Sequence, residues 1–311
     1  MNLSAVFALL LVNAIASAQG FYQNTDVFEL SPDSFDEVVL STNYTSVVEF
    51  YAPWCGHCNN FKGAFKKAGK LLKDIVNVAA VNCDLEINKP LCAKYKIEGF
   101  PTIKVFRPPK YSDKNPPKSK KALMKEFVDE NYNGERTASG LVGFSQTRIK
   151  SYVRRIFGVD VLQKLLNKSS KIKMILLSDS KNKPSVFLKS LAIDYLGVAE
   201  FGYFDVKSSF PEEKIMELTG LDNQAMKKPM FLVYDGNNPT NEPKIITGKM
   251  TKQSIAEFLL ENYGVKPMEG PGSEKHKTLN LLKKGKTLKQ IQKKGKNNRK
   301  KSVKKSARDE L

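Results

Sequence analysis

Cysteine is scarce in this chain: four in 311 residues, with none after Cys92. Everything beyond that residue is therefore excluded from thiol chemistry. Cys55 and Cys58 form one Cys-x-x-Cys pair, but Cys83 and Cys92 do not form a second. That leaves a zinc site as the weaker reading of the pair. Acidic side chains are outnumbered, 32 against 51 basic, for a formal charge of +19. Much of the excess lies after Pro267, which argues for a basic tail rather than a basic fold. Beyond the first eighteen residues no apolar run is long enough to cross a bilayer. What is present is sufficient for real cores: 41% of the residues are hydrophobic, and the length allows roughly two domains.

Leu3 through Ile15 is mostly apolar, and Ala16-Ser17-Ala18 supplies a small-x-small cleavage pattern. Residues 1–18 read as a secretory signal with a mature start at Gln19. An uncleaved anchor is the alternative, although the run is short for a span. The chain ends in Arg308-Asp309-Glu310-Leu311, close to the retrieval signals of the endoplasmic reticulum, with Arg in the first place. Both ends place the mature protein in an oxidising lumen, not inserted in the membrane, with the retrieval receptor as one partner. The sequons at Asn43 and Asn167 are candidate glycosylation sites there.

The central stretch is Trp54-Cys55-Gly56-His57-Cys58. The preceding Val47 to Ala52 reads as a buried strand. Phe61, Phe65, Ala68, Leu71 and Leu72 follow at helical spacing. Cys55 thus sits at a strand-to-helix junction, where free backbone N–H groups and the helix dipole favour a thiolate. Cys55 is expected to attack, and Cys58, one turn into the helix, to resolve. His57 adds positive charge beside Cys55, Gly56 lets the turn close, and Trp54 offers an apolar surface to a substrate.

Val48-Glu49-Phe50-Tyr51-Ala52-Pro53-Trp54-Cys55-Gly56-His57-Cys58, with Gly99-Phe100-Pro101-Thr102 downstream, resembles a catalytic domain of the protein disulfide isomerase family. The whole layout is similar to small fungal members with one active-site domain. The resemblance implies a thiol-disulfide oxidoreductase and isomerase acting on unfolded or misoxidised secretory polypeptides, with no metal or organic cofactor. It implies a cis Pro101, placing Phe100 and Thr102 where an extended substrate pairs. It implies Glu49 as buried proton acceptor for Cys58, against an edge carboxylate pointing to water. It implies Arg136 as the arginine that approaches the resolving cysteine, against a solvated one. Two residues depart from the family pattern: Asn59 follows Cys58 where lysine is usual, and Ala80 stands where a lysine pairs with the buried glutamate. A structural Cys83–Cys92 disulfide is favoured over free thiols in an oxidising lumen.

The fold class expected is α/β: two tandem thioredoxin-like domains, the first redox-active, the second without cysteine, then a basic C-terminal tail. The first, residues 19–157, has the order β-α-β-α-β-α-β-β-α, closing with a helix from Ala138 to Phe157. The Pro- and Lys-rich insertion between Arg107 and Glu126 is expected to be a solvated loop. The second, residues 158–265, has strands at Ile172–Leu177, Glu200–Val206, Met230–Tyr234 and Lys244–Thr247. Its helices are expected at Ser185–Leu196, Glu212–Leu218 and Ser254–Tyr263. Lys228-Pro229 holds the place of Phe100-Pro101 and is expected to be cis. Residues 266–311 read as a linker and a disordered tail, preferred over a weak helix through Leu279 and Leu282. A retained luminal tail does not meet nucleic acid; acidic luminal chaperones are the candidate partners. The competing function is a binding chaperone or adaptor recruited through the second domain and tail.

Overall fold

The computed structural model describes residues 20–112, 119–178, 183–205, 229–238 and 242–293. The N-terminal signal, the expected helix at Glu212–Leu218, the Lys228–Pro229 bond and the C-terminal tetrapeptide lie outside them or depend on residues outside them.

The first sheet has five strands in the order β1-β3-β2-β4-β5: β1 Phe28–Glu29, β2 Ser46–Tyr51, β3 Asn77–Asn82, β4 Thr102–Arg107 and β5 Val128–Asn131. β1, β3 and β2 run parallel; β4 is antiparallel to β2, and β5 to β4. Every residue of β2 and β3 is buried, as expected of central strands covered on both faces. One face is covered by α1 (Pro32–Phe35, continuing as a wider π-type turn over Asp36–Leu40) and α3 (Lys89–Lys94). Phe35, Val38, Val39 and Leu91 pack there on Val48, Phe50, Val81 and Phe106. The long α2 (Gly56–Leu71) packs against α5 (Ala138–Thr147). α2 buries Phe61, Phe65 and Ala68, the expected stripe, with Leu72 just beyond it. Each buried phenylalanine contributes about 1.5–3 kcal/mol. Leu71 departs from the stripe and is half exposed.

The second sheet repeats the topology in the order β10-β9-β7-β8-β6, with β6 Val153–Ile156, β7 Ile172–Ser178, β8 Ala199–Asp205, β9 Met230–Tyr234 and β10 Lys244–Ile246. β6, β8 and β7 are parallel; β9 and β10 are antiparallel additions. Its helices are α6 (Val159–Leu166), α7 (Val186–Asp194) and α8 (Lys252–Tyr263). α8 opens on a Thr251–Ser254 capping box and closes on Gly264 in the left-handed region, φ 65°.

Four expectations need correction. The closing helix of the first unit stops at Thr147, and Val153–Ile156 forms an edge strand of the second sheet. The two compact units accordingly divide at Arg148 and Ile149, not at residue 157. β6 is Val-Arg-Arg-Ile, four residues without a two-residue alternation, so nothing local marks it off from a helical reading. The insertion is not all loop: α4 (Lys120–Lys125) is capped by Ser119 Oγ, which accepts from Ala122 N–H at 3.1 Å, and Met124 packs on the first core. The Pro-Gly linker is tied into the second unit: the Met268 and Glu269 N–H groups donate to Asp194 O at 2.7 and 3.2 Å. Finally, the tail begins as a helix, α9 (Glu274–Lys283), whose Leu279 is buried in the first core with Leu282 against it. Burial of those leucines supplies the tertiary packing that so short a helix needs in water. No described helix is long and apolar enough to cross a membrane.

Candidate active site

β2 ends at Tyr51 and α2 starts at Gly56, so the motif straddles the junction, with Trp54 and Cys55 in the turn and Gly56 to Cys58 in the first turn of α2. Cys55 is the N-cap of α2: the Cys58 backbone N–H donates to Cys55 Sγ at 3.2 Å. That contact places one of the otherwise unpartnered helix N–H groups on the sulfur, where it stabilises negative charge. Both sulfurs are free thiols. Cys55 is 7% exposed and Cys58 is 0% exposed, which matches an attacking and a shielded partner. Asn59, one of the two departures from the family pattern, donates its amide to Pro53 O and Cys55 O at 3.1 and 3.0 Å. It thereby ties the turn to the first turn of the helix.

Across from the motif, the Phe100–Pro101 peptide is cis, as the resemblance implies. The Phe100 carbonyl accepts a long hydrogen bond from Cys55 Sγ, 3.5 Å. Thr102 Oγ1 donates to Gly99 O at 2.7 Å, bracing the approach to β4. Trp54 is 70% exposed; its ring meets Phe100 edge-on, and its Nε1 donates to Asp84 Oδ1 at 2.9 Å. Cys55 is therefore flanked by an exposed indole and a backbone carbonyl, a surface on which an extended peptide can lie. His57 is exposed beside it.

Glu49 lies inside the domain, 0% exposed, in β2. Tyr22 donates its hydroxyl to Glu49 Oε2, while Oε1 has no hydrogen-bond partner. Burial pushes the Glu49 carboxyl up to about 7, with the Glu29 charge adding to the rise; the Tyr22 bond and Arg136 oppose it. Burial pushes the Cys58 thiol well above its usual range, with the Cys55 contact and the Glu49 charge adding to it. Cys58 thus needs a base, and Glu49 is a base poised near neutrality. Arg136 is exposed, and the group it acts on electrostatically is Glu49. Cys83 and Cys92 are bonded to each other, joining the end of β3 to α3. They are thereby spent, and Cys55 and Cys58 have no second cysteine pair with which to complete a four-sulfur zinc site.

Three participants escaped the sequence reading: Tyr22, Tyr51 and Glu29. Glu29 carried a signal, since it sits in the apolar run Val27-Phe28-Glu29-Leu30 just as Glu49 sits in β2. The tyrosines carried none, because only the fold brings residue 22 to β2.

The thioredoxin family profile matches residues 26–130. Protein disulfide-isomerase MPD1 of Saccharomyces cerevisiae is 37% identical over 300 residues, covering 90% of this chain and 92% of that protein. The chain belongs to the protein disulfide isomerase family. A putative protein disulfide-isomerase of Dictyostelium discoideum is 33% identical over 82% of this chain and 56% of that protein. Human protein disulfide-isomerase A6 is 35% identical over 49% of this chain and 31% of that protein. Membership makes this chain a thiol-disulfide isomerase, and the Cys55–Cys58 dithiol is the one pair of free thiols among the described residues.

Proposed function

We propose that the chain forms and rearranges disulfides in secretory polypeptides within the endoplasmic reticulum lumen, through the Cys55-Gly56-His57-Cys58 centre. The observation that carries this reading is a capped, barely exposed Cys55 thiol against the Phe100 carbonyl, with the fully buried Cys58 behind it. The Cys55 thiolate attacks a substrate disulfide: a Cys55–substrate bond forms, the substrate S–S bond breaks, and one substrate thiolate leaves. In isomerisation a different substrate thiolate then displaces Cys55 and closes a new substrate disulfide. When none does, Cys58 ends the encounter by net reduction of the substrate. The Cys58 proton then passes to Glu49. The Cys58 thiolate attacks Cys55 Sγ, and the second substrate sulfur departs as thiolate. Oxidation runs the same bonds in the opposite sense, a substrate thiolate attacking the Cys55–Cys58 disulfide.

The amino-terminal signal, the Arg308-Asp309-Glu310-Leu311 terminus and its retrieval receptor support the luminal setting. Asn167, exposed at the end of α6, is the more accessible glycosylation site; Asn43 is half-buried. The basic residues after Pro267 suit acidic luminal chaperones as partners, and a binding role for the second domain is the alternative reading. The deciding experiment compares two variants on a scrambled disulfide substrate. Cys55→Ser should lose oxidation and isomerisation together. Cys58→Ser should accumulate trapped mixed disulfides, because attack survives while escape is lost. Trapping by Cys55→Ser instead would reverse the roles, and full folding activity without either thiol would favour the binding chaperone.

A further inference from the structure

The fold places a second, half-buried carboxylate beside Glu49. Strand β3 lies between β1 and β2, and its Ala80 is opposite Glu29 on one side and Glu49 on the other. Residues in register share a sheet face, so both carboxylates project to the same side, with backbones roughly 10 Å apart across two strand spacings. Between them stands an alanine where the family resemblance leads one to expect lysine, so β3 contributes no cation to this row. Tyr22 holds both groups: its hydroxyl donates to Glu49 Oε2 and its backbone N–H donates to Glu29 Oε1 at 2.8 Å. The Tyr51 hydroxyl donates to the Glu29 oxygens at 3.0 and 3.2 Å, and itself accepts from Phe21 N–H at 3.0 Å. Glu29 is half-buried and lines a cavity of about 270 Å³ that opens to solvent.

We propose that Glu29 is a positioning residue for the resolving step: the two carboxylates form one coupled pair across Ala80, and the negative charge on Glu29 strengthens Glu49 as acceptor of the Cys58 proton. The inference rests on the reading of Glu49 as that acceptor. No bond other than S–H and O–H changes in the step; the proton leaves Cys58 Sγ for Glu49, and Glu29 keeps its charge. Both carboxyls are raised to about 7, burial being the largest cause for each. Glu49 also faces Tyr22, Cys58 and the opposing Arg136. Glu29 faces Tyr22, Tyr51 and the opposing Lys62, whose ammonium lies 4.2 Å above the Phe21 ring, while Asp33 and Lys286 line the same cavity. Two like charges in a shared buried site cannot both ionise freely, so their titration belongs to the pair. The arrangement replaces a lysine, which would hold Glu49 ionised and make it a poorer base, by a second acid that does the opposite.

The test follows the carboxyl signals of the reduced full chain by carbon NMR against pH, together with the rate at which Cys58 resolves a glutathione mixed disulfide on Cys55. In Glu29→Gln the Glu49 titration, and with it the midpoint of the resolution profile, should move about one pH unit to the acid side. Glu29→Asp should restore part of that shift. Tyr51→Phe, which removes the bond stabilising the Glu29 charge without removing the ring, should raise the Glu29 titration and lower that of Glu49 by about half as much. It decides the matter if Glu29→Gln does not fold. Slow resolution in Glu49→Gln with an unmoved Glu49 titration in Glu29→Gln, or in Tyr51→Phe, overturns the coupling alone. Normal resolution in Glu49→Gln overturns both the coupling and the reading beneath it.

Discussion

The two sheets share one strand order and one pattern of direction, yet only one of them carries chemistry. Apart from the thiols, which the second unit lacks, a difference lies on one row of three residues. In the first sheet that row reads Glu29, Ala80, Glu49. Counting from the strand that follows the proline, the corresponding row of the second sheet reads Arg155, Tyr203, Leu176. The place of the buried base is taken by leucine, the place of the second acid by an exposed arginine, and the alanine by a tyrosine 1% exposed. Topology is therefore set by the buried, mostly apolar central strands, which both halves keep. The same backbone tolerates buried acids on this row in one half and omits them in the other. The first sheet's row carries a cost, since its two carboxyls, one buried and one half-buried, hold protons more tightly than in the unfolded chain.

The comparison is broken most completely by removing the thiols. Cys55→Ser together with Cys58→Ser makes the first unit as inert as the second, and insulin reduction and refolding of a scrambled substrate should fall to the uncatalysed rate. Next comes Glu49→Leu, which installs the residue of the second row. Resolution of a mixed disulfide should slow by about 10²–10⁴-fold, the usual worth of a general base. In the wild type the same rate should fall as pH drops through about 7, because the base must be ionised to act. Stability should respond in the opposite sense. The folded Glu49 carboxyl lies near 7 against 4.5 unfolded, so the folded state binds the extra proton between those values. The favourable contribution is complete below pH 4.5 and is lost as pH rises through 7. By urea unfolding, the wild type should lose about 3 kcal/mol relative to Glu49→Leu between pH 4.5 and 8 from this group.

A slightly smaller effect is expected at the staple that the second unit lacks. Converting Cys83 and Cys92 to serine frees a short loop of chain, and unfolding should become easier by about 2–3 kcal/mol, with exchange activity retained. Smallest is Tyr22→Phe, which removes one hydroxyl that stabilises ionised Glu49. The Glu49 titration should rise by about half a pH unit, which carboxyl NMR would show, at a cost of about 1 kcal/mol in stability.

How much of this was legible beforehand depends on whether the signal was local. The motif Trp54 to Cys58 between an apolar strand and a helical stripe declared both the junction and the two thiols. Glu49 was visible as a charge in a run with no exposed face, and Pro101 through its neighbours. The helix over Lys120–Lys125 was missed because nearby prolines outweighed Ser119 as a cap signal, although Leu123 and Met124 were there to be counted. The strand at Val153–Ile156 was missed because its pairing partner lies nearly fifty residues on, at Phe201–Phe204.

The sequence by itself determined that there are two repeated α/β units, that only the first contains cysteine, and which two of its sulfurs stand at the strand-to-helix junction. Those facts follow from residue identity and from periodicity within a dozen positions. Only the tertiary structure decided that Ala80 is flanked by two acids, that Tyr22 bonds both of them, and that Leu279 returns to the first core. Each of those depends on strand register or on contacts across tens to hundreds of residues. No local pattern encodes such distances; burial and pairing select them only when the whole unit folds.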